Sequence, residues 1–249
     1  MGWIGKDGEQ VNVGNGLGAY VDARAVQTDT VRSFLGRVYQ LMAAGLAVTG
    51  IVALVVASTP AIMNFLLMNR AVMFVLIIAQ FGTVMAFTGL LNRVSAGAAA
   101  AMFFGYAALT GVTFSTIFLI YTSGSIASTF FITAGAFAAL SAYGAVTKRD
   151  LSGLGSFLFM GLIGLVLASI VNIFVGSSAI YWLTTFMGVI VFTGLVAYDT
   201  NKLKQLAATN DLRGDGLRKV ALMGALSLYL DFINLFLLLL RLFGNRRRD

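Results

Sequence analysis

The chain has 249 residues, of which 59% are hydrophobic and only 11% charged, with a mean hydropathy of +0.89. A soluble domain carries about 25% charged residues to keep its surface solvated. The ten acids and seventeen bases present here exclude a secreted enzyme, a soluble nucleotide-binding fold and a nucleic-acid module. The net charge of +7 suits the basic cytoplasmic loops of a membrane protein and implies no nucleic-acid partner. With no cysteine and no histidine, disulfides, thiolate and imidazole metal sites, haem ligation and Ser-His-Asp chemistry are all excluded. Glu9 is the single glutamate, so proton or cation chemistry inside a membrane falls to aspartate.

In chain order, residues 1–30 are rich in Gly, Asn, Val and Asp, show no helical period, and read as a disordered cytoplasmic tail. They lack the short apolar run and small-residue cleavage site of a signal peptide. From 31 to 249 the chain reads as one membrane domain. Crossing a hydrocarbon core about 30 Å thick takes about 20 mostly apolar residues, and such runs fall at about 34–57, 71–92, 96–121, 126–146, 154–175, 180–204 and 220–243. The expected fold class is all-α: a polytopic membrane protein of seven transmembrane helices. The connections are marked by breakers, Ser58-Thr59-Pro60, Thr122-Ser123-Gly124-Ser125 and Gly176-Ser177-Ser178. Pro60 is the single proline, so no span carries a proline kink. Gly97, Ala101 and Gly105 form a small-xxx-small face on the third span, expected to let helices approach closely in lipid.

Basic residues cluster on one side of these spans: Lys6, Arg24, Arg32 and Arg37 toward the N-terminus, then Arg93, then Lys148 and Arg149, then Lys202, Lys204, Arg213, Arg218 and Lys219 around the last loop. That majority predicts a cytoplasmic N-terminus. Arg70, Arg241 and the run Arg246-Arg247-Arg248 fall on the other side. They oppose the vote and leave two courses for the seventh span, crossing or re-entering; crossing is the expectation.

Two acids stand apart from the rest, which lie in tails or loops. Asp199 falls in the sixth span and Asp231 eleven residues into the seventh. An ionised Asp near a helix centre costs at least about 2.5–3.5 kcal/mol on insertion scales, and such residues face a cavity or a partner. The two spans are consecutive and antiparallel. With the loop at roughly 206–218, their depths differ by about 9 Å at 1.5 Å per residue, a mismatch that tilt or a longer sixth helix would reduce. Two carboxylates meeting there would share a proton. A hard cation such as Ca²⁺ would compete with that proton for the same oxygens. Ser227 and Asn234, at i−4 and i+3 from Asp231, line one stripe of the helix as a polar lining or as glue between helices. Arg93 reads as a loop charge, and Phe and Met as filler rather than a cofactor box.

The segment Ala225-Leu-Ser-Leu-Tyr-Leu-Asp231-Phe-Ile-Asn234-Leu-Phe resembles the transmembrane Bax-inhibitor motif family, as does Tyr198-Asp199-Thr200 at the end of the sixth span. The likeness runs from about residue 31 to the end and is closer to bacterial members. The resemblance implies a central seventh helix wrapped by the other six, and a proton-sensitive Ca²⁺ leak channel of the inner membrane. Asp199 and Asp231 would form its pH-responsive pair, and Arg93 would be the basic residue that latches onto the pair in the closed state. It implies no enzyme and no cofactor; lipid, protons and Ca²⁺ are the expected partners. Some bacterial relatives are instead associated with membrane-protein quality control by a membrane-bound protease. The rival expectation is therefore a non-conducting regulatory protein that docks such a partner through the tail. An intramembrane aspartyl protease is disfavoured, because the Gly-flanked aspartate motifs of that class are absent.

Overall fold

In hydrocarbon every backbone N–H and C=O must be satisfied within its own segment, so long apolar runs cross as helices. The computed structural model describes residues 3–4, 10–11, 13–209 and 214–247, with side chains over 29–208 and 214–247. Seven of its helical segments are long and apolar enough to span a bilayer: Asp29–Ala57, Arg70–Leu90, Ala96–Ile120, Ser123–Val146, Ser152–Val175, Ser178–Ala208 and Gly214–Phe243. Each overlaps one expected span.

The helices are α1 (Val13–Ala57), α2 (Pro60–Met68), α3 (Arg70–Leu90), α4 (Ala96–Phe114), α5 (Ile117–Ile120), α6 (Ser123–Val146), α7 (Ser152–Val175), α8 (Ser178–Thr209) and α9 (Gly214–Phe243). Two short strands, β1 (Trp3–Ile4) and β2 (Gln10–Val11), pair antiparallel. The expected tail 1–30 is not irregular throughout: its backbone is helical from Val13 as the start of α1, while the side chains of 1–28 lie outside the described residues.

Of the breakers expected between spans, Thr122 caps α6 by accepting from the Ser125 N–H, whereas Thr59 makes no side-chain cap bond to α2; Ser95, not singled out by the sequence, accepts from the Ala98 N–H at the start of α4. Gly176 ends α7 with φ 65°, a left-handed conformation that suits glycine. Pro60 opens a helix rather than a loop. It sits at the first position of α2, where its missing N–H costs nothing.

The seventh span is the centre of the bundle. Of its apolar window 67% is buried, against 6% for α3 and for α7. Helix α9 packs against α1, α4, α6 and α8, whereas α3 packs mainly on α4 and α7 mainly on α8. Four helices, not six, thus make the main wrap around α9. Tyr229 of α9 anchors the core, edge-on to Phe103 at 5.8 Å and to Tyr106 at 5.9 Å. One turn on, Phe232 meets Phe130 and Phe137 of α6.

The glycines that permit close approach are not those of the expected small-residue face. Ala101 and Gly105 are exposed, and a Cβ at Gly105 would meet nothing within 4 Å. Close packing occurs instead where Gly144 of α6 lies against the Ala197 backbone of α8, and where Gly111 of α4 lies against Thr49 and Val52 of α1. A helix apolar on every side carries no stripe to say which face packs.

Helix α9 crosses the bundle from end to end. Beyond it, Thr122 donates its N–H to the Asn245 carbonyl at 3.1 Å, and Arg247 donates its N–H to the Ile120 carbonyl at 2.9 Å. The Asn245 N–H donates to Ser125 Oγ at 2.8 Å. These ties hold 245–247 at the start of α6, the end opposite to the start of α9.

Candidate functional site between the sixth and seventh spans

Three consecutive residues of α8 reach three different neighbours, as the 100° step of a helix requires. The Tyr198 ring lies against Gly155 of α7. Thr200 donates to Ser141 Oγ of α6 at 3.3 Å. Asp199, between them, turns toward α9, where the Ser227 hydroxyl stands within hydrogen-bonding range of its carboxyl. Asn201 completes the grip on α6 by donating to the Gly144 carbonyl at 3.0 Å. Asp199 is half-buried, with Lys202, one turn along its own helix, acting on it electrostatically.

Asp231 is far less accessible, at 5% exposure, and its Oδ2 has no hydrogen-bond partner. The Asp199 carboxyl acts on it electrostatically. Ser227 and Asp231 lie one turn apart on α9, about 6 Å along its axis.

The other expected residues divide. Ser227 joins the site. Asn234 donates to the Leu230 carbonyl of its own helix at 2.8 Å and neither bridges helices nor reaches the pair. Arg93 is exposed in the turn between α3 and α4, and its charge does not figure among those acting on either aspartate. That turn sits at the end of the bundle, while Asp199 lies ten residues from the end of α8, about 15 Å at helical rise and beyond the reach of an arginine side chain. Among the described residues no three acids gather as a metal site. The donors at hand are the two carboxylates and one hydroxyl, fewer than the six to eight oxygens of a resident Ca²⁺ site.

One polar node escaped the sequence. Thr49 of α1 hydrogen-bonds the Tyr229 hydroxyl at 2.7 Å and the Ala107 carbonyl at 2.9 Å. Its signal was a lone threonine in the first span and a tyrosine two residues before Asp231. Beside it a cleft of about 870 Å³ opens between α1, α4, α6 and α9, walled by residues such as Leu54, Phe118, Phe130 and Phe236, with Arg247 at its rim. The cleft meets α9 at Phe232 and Ile233, next to Asp231.

A sequence profile of the family described as "Inhibitor of apoptosis-promoting Bax1" matches residues 31–248. The chain is 52% identical over 218 residues to the inner membrane protein YbhL of Escherichia coli strain K12, covering 87% of this chain and 93% of that protein. It is 44% identical over 216 residues to a protein of Borreliella burgdorferi, covering 87% of this chain and 93% of the relative. A protein of Deinococcus radiodurans is 42% identical over 219 residues, covering 88% and 93%. With seven apolar helices, the seventh buried among the others, and a profile match along nearly all of the membrane domain, this chain belongs to the Bax inhibitor-like family of integral membrane proteins.

Proposed function

We propose that the protein is a proton-sensitive cation leak pathway of the bacterial inner membrane, with Ca²⁺ as the permeant ion and Asp199 and Asp231 as the groups that bind proton or cation. The observation that carries this reading is Asp231 itself: a carboxyl at 5% exposure, in the middle of a span, with one oxygen lacking any partner. An aspartate kept as glue between helices would have both oxygens engaged, since an orphaned buried acceptor forfeits about 1–3 kcal/mol. The apolar cleft supports the same reading, because it brings a wide opening up to α9 beside Asp231. Thr49, which lines the cleft, bonds Tyr229, two residues before Asp231 on α9, so a shift of α9 would alter cleft and carboxyl together. Protonation and Ca²⁺ compete for the same oxygens, and occupancy of the pair sets where α9 rests. No catalysis is involved.

The inner membrane is the compartment named for the Escherichia coli relative. The excess of bases at the N-terminal ends of the first, third, fifth and seventh spans supports a cytoplasmic side for those ends. The test is Ca²⁺ flux into indicator-loaded liposomes across about pH 5 to 8, wild type beside Asp199→Asn and Asp231→Asn. A pH-dependent flux that both substitutions alter is the expected result. Flux no greater than that of empty liposomes at every pH overturns the reading and leaves a non-conducting, partner-binding role.

A further inference from the structure

At the end of the bundle where α4 and α9 begin, a second cavity of about 480 Å³ opens between them and α1, lined by Arg37, Gln40 and Leu41 of α1, Ala96, Gly97 and Ala100 of α4, and Arg218 and Leu222 of α9. All three helices enter the membrane from this end, so residue i+4 lies one turn, about 6 Å, deeper than residue i. The lining follows that rule on each helix. Arg37 stands above Leu41, Arg218 above Leu222, and Ala96 above Ala100. The cavity is thus cationic at its mouth and aliphatic one turn down.

Both arginines are exposed, and among the described residues neither takes part in an ion pair. The nearby acid is already engaged: Asp215 pairs with Lys219 at 3.5 Å and accepts from the Ala96 N–H at 3.4 Å. Helix α9 has 30 residues, about 45 Å of length against a hydrocarbon core of about 30 Å. Arg218, four residues from its start, therefore stands at headgroup level. Below the mouth, Gly97, Ala101 and Gly105 leave a trough on the outer face of α4; a Cβ at Gly97 would meet only Ser95 Oγ at 3.9 Å.

We propose that this cavity is a binding site for an anionic glycerophospholipid, with the phosphodiester held between Arg37 and Arg218 and an acyl chain laid along the Gly97–Ala101–Gly105 trough. Basic pockets between spans suit phospholipid headgroups, and the volume falls within the range of about 300–1,000 Å³ typical of ligand pockets. A free anion would use the arginines but leave the aliphatic floor and the trough without a role.

The test is native mass spectrometry of the full chain released from mixed phosphatidylglycerol and phosphatidylcholine micelles, reading the retained lipid. Wild type should retain phosphatidylglycerol preferentially. The pair Arg37→Gln and Arg218→Gln should lower that retention about 25-fold, about fivefold for each basic residue, while Arg246→Gln at the opposite end should leave it unchanged. Gly97→Leu keeps both arginines, fills the cavity, and should also lose the lipid, so the proposal stays testable if the double variant folds poorly. Retention unchanged in folded Arg37→Gln/Arg218→Gln or in Gly97→Leu overturns the site. Equal retention of the two lipids by wild type does the same. Displacement of the lipid by an equal concentration of soluble glycerol phosphate would make it a free-anion site instead.

Discussion

The hydroxyls of Thr49 on α1 and Tyr229 on α9 lie 2.7 Å apart, at the centre of the bundle. Thr49 has one proton and two carbonyls to serve, Ala107 at 2.9 Å and Gly45 at 3.1 Å. With that proton committed to a carbonyl, Tyr229 is the donor of the pair. Three helices are thereby tied at one point, two residues along α9 from Asp231.

Tyr229→Phe removes the donor and keeps the ring packed between Phe103 and Tyr106. The expected loss is about 0.6–1.5 kcal/mol, the range for hydrogen bonds between helices in membranes. Thermal unfolding in detergent measures it. Because Thr49 also lines the cleft, the same variant should raise basal Ca²⁺ leak in liposomes. A variant as stable and as tight as wild type would remove the node from the mechanism.

Asp231 is kept against the interest of stability. Its Oδ2 is buried without a partner, and removing such an orphan recovers about 1–3 kcal/mol. Asp231→Leu should therefore melt at a higher temperature than wild type while losing the pH response of the flux. A lower melting temperature would show that the carboxyl holds helices together, and would count against a role in conduction.

Glycine positions separate packing from mere small size. A Cβ at Gly144 would collide with the Ala197 carbonyl, two residues before Asp199, whereas one at Gly105 would meet nothing within 4 Å. Gly144→Ala should destabilise by about 1–3 kcal/mol through overpacking and disturb the pair by forcing α8 off α6. Gly105→Ala should gain up to about 1 kcal/mol from helix propensity. Thermal unfolding of the two side by side decides the matter. Equal effects would mean that α6 and α8 do not approach at Gly144.

The spans and the isolation of Asp199 and Asp231 were legible in the sequence, because lipid demands a long apolar run and penalises a charge within it. What could not be read was direction. Asn234 sits on the same stripe as Asp231 yet bonds back to Leu230, a choice made by local geometry that spacing does not encode. The Gly97–Ala101–Gly105 face looked like a packing surface and faces outward, since apolar helices give no hydrophobic contrast between their sides. Pro60 signalled an end to α1 and equally the start of α2. Arg93 entered through resemblance, and the short α3–α4 turn holds it at the end of the bundle.

At the loop before α7 the pH behaviour follows from one side chain. Asp150 is fully exposed, and hydrogen bonds from the Ser152 hydroxyl and then the Ser152 N–H, the latter at 2.9 Å, hold its carboxyl below the usual carboxylate range. A group whose folded-state value is depressed adds stability that is fully present above its unfolded value, about 3.9. That contribution fades as pH falls through the folded value. The anchoring of the α7 start by Asp150 should thus persist from neutral pH down to about 4 and fade only below it. Carboxyl-carbon NMR of labelled Asp150 should give a titration midpoint lower than that of a free aspartate. Ser152→Ala removes the hydroxyl and keeps the N–H, so the midpoint should move part of the way back. A midpoint at or above the free value in wild type would mean that the carboxylate does not cap α7 in the membrane-embedded protein.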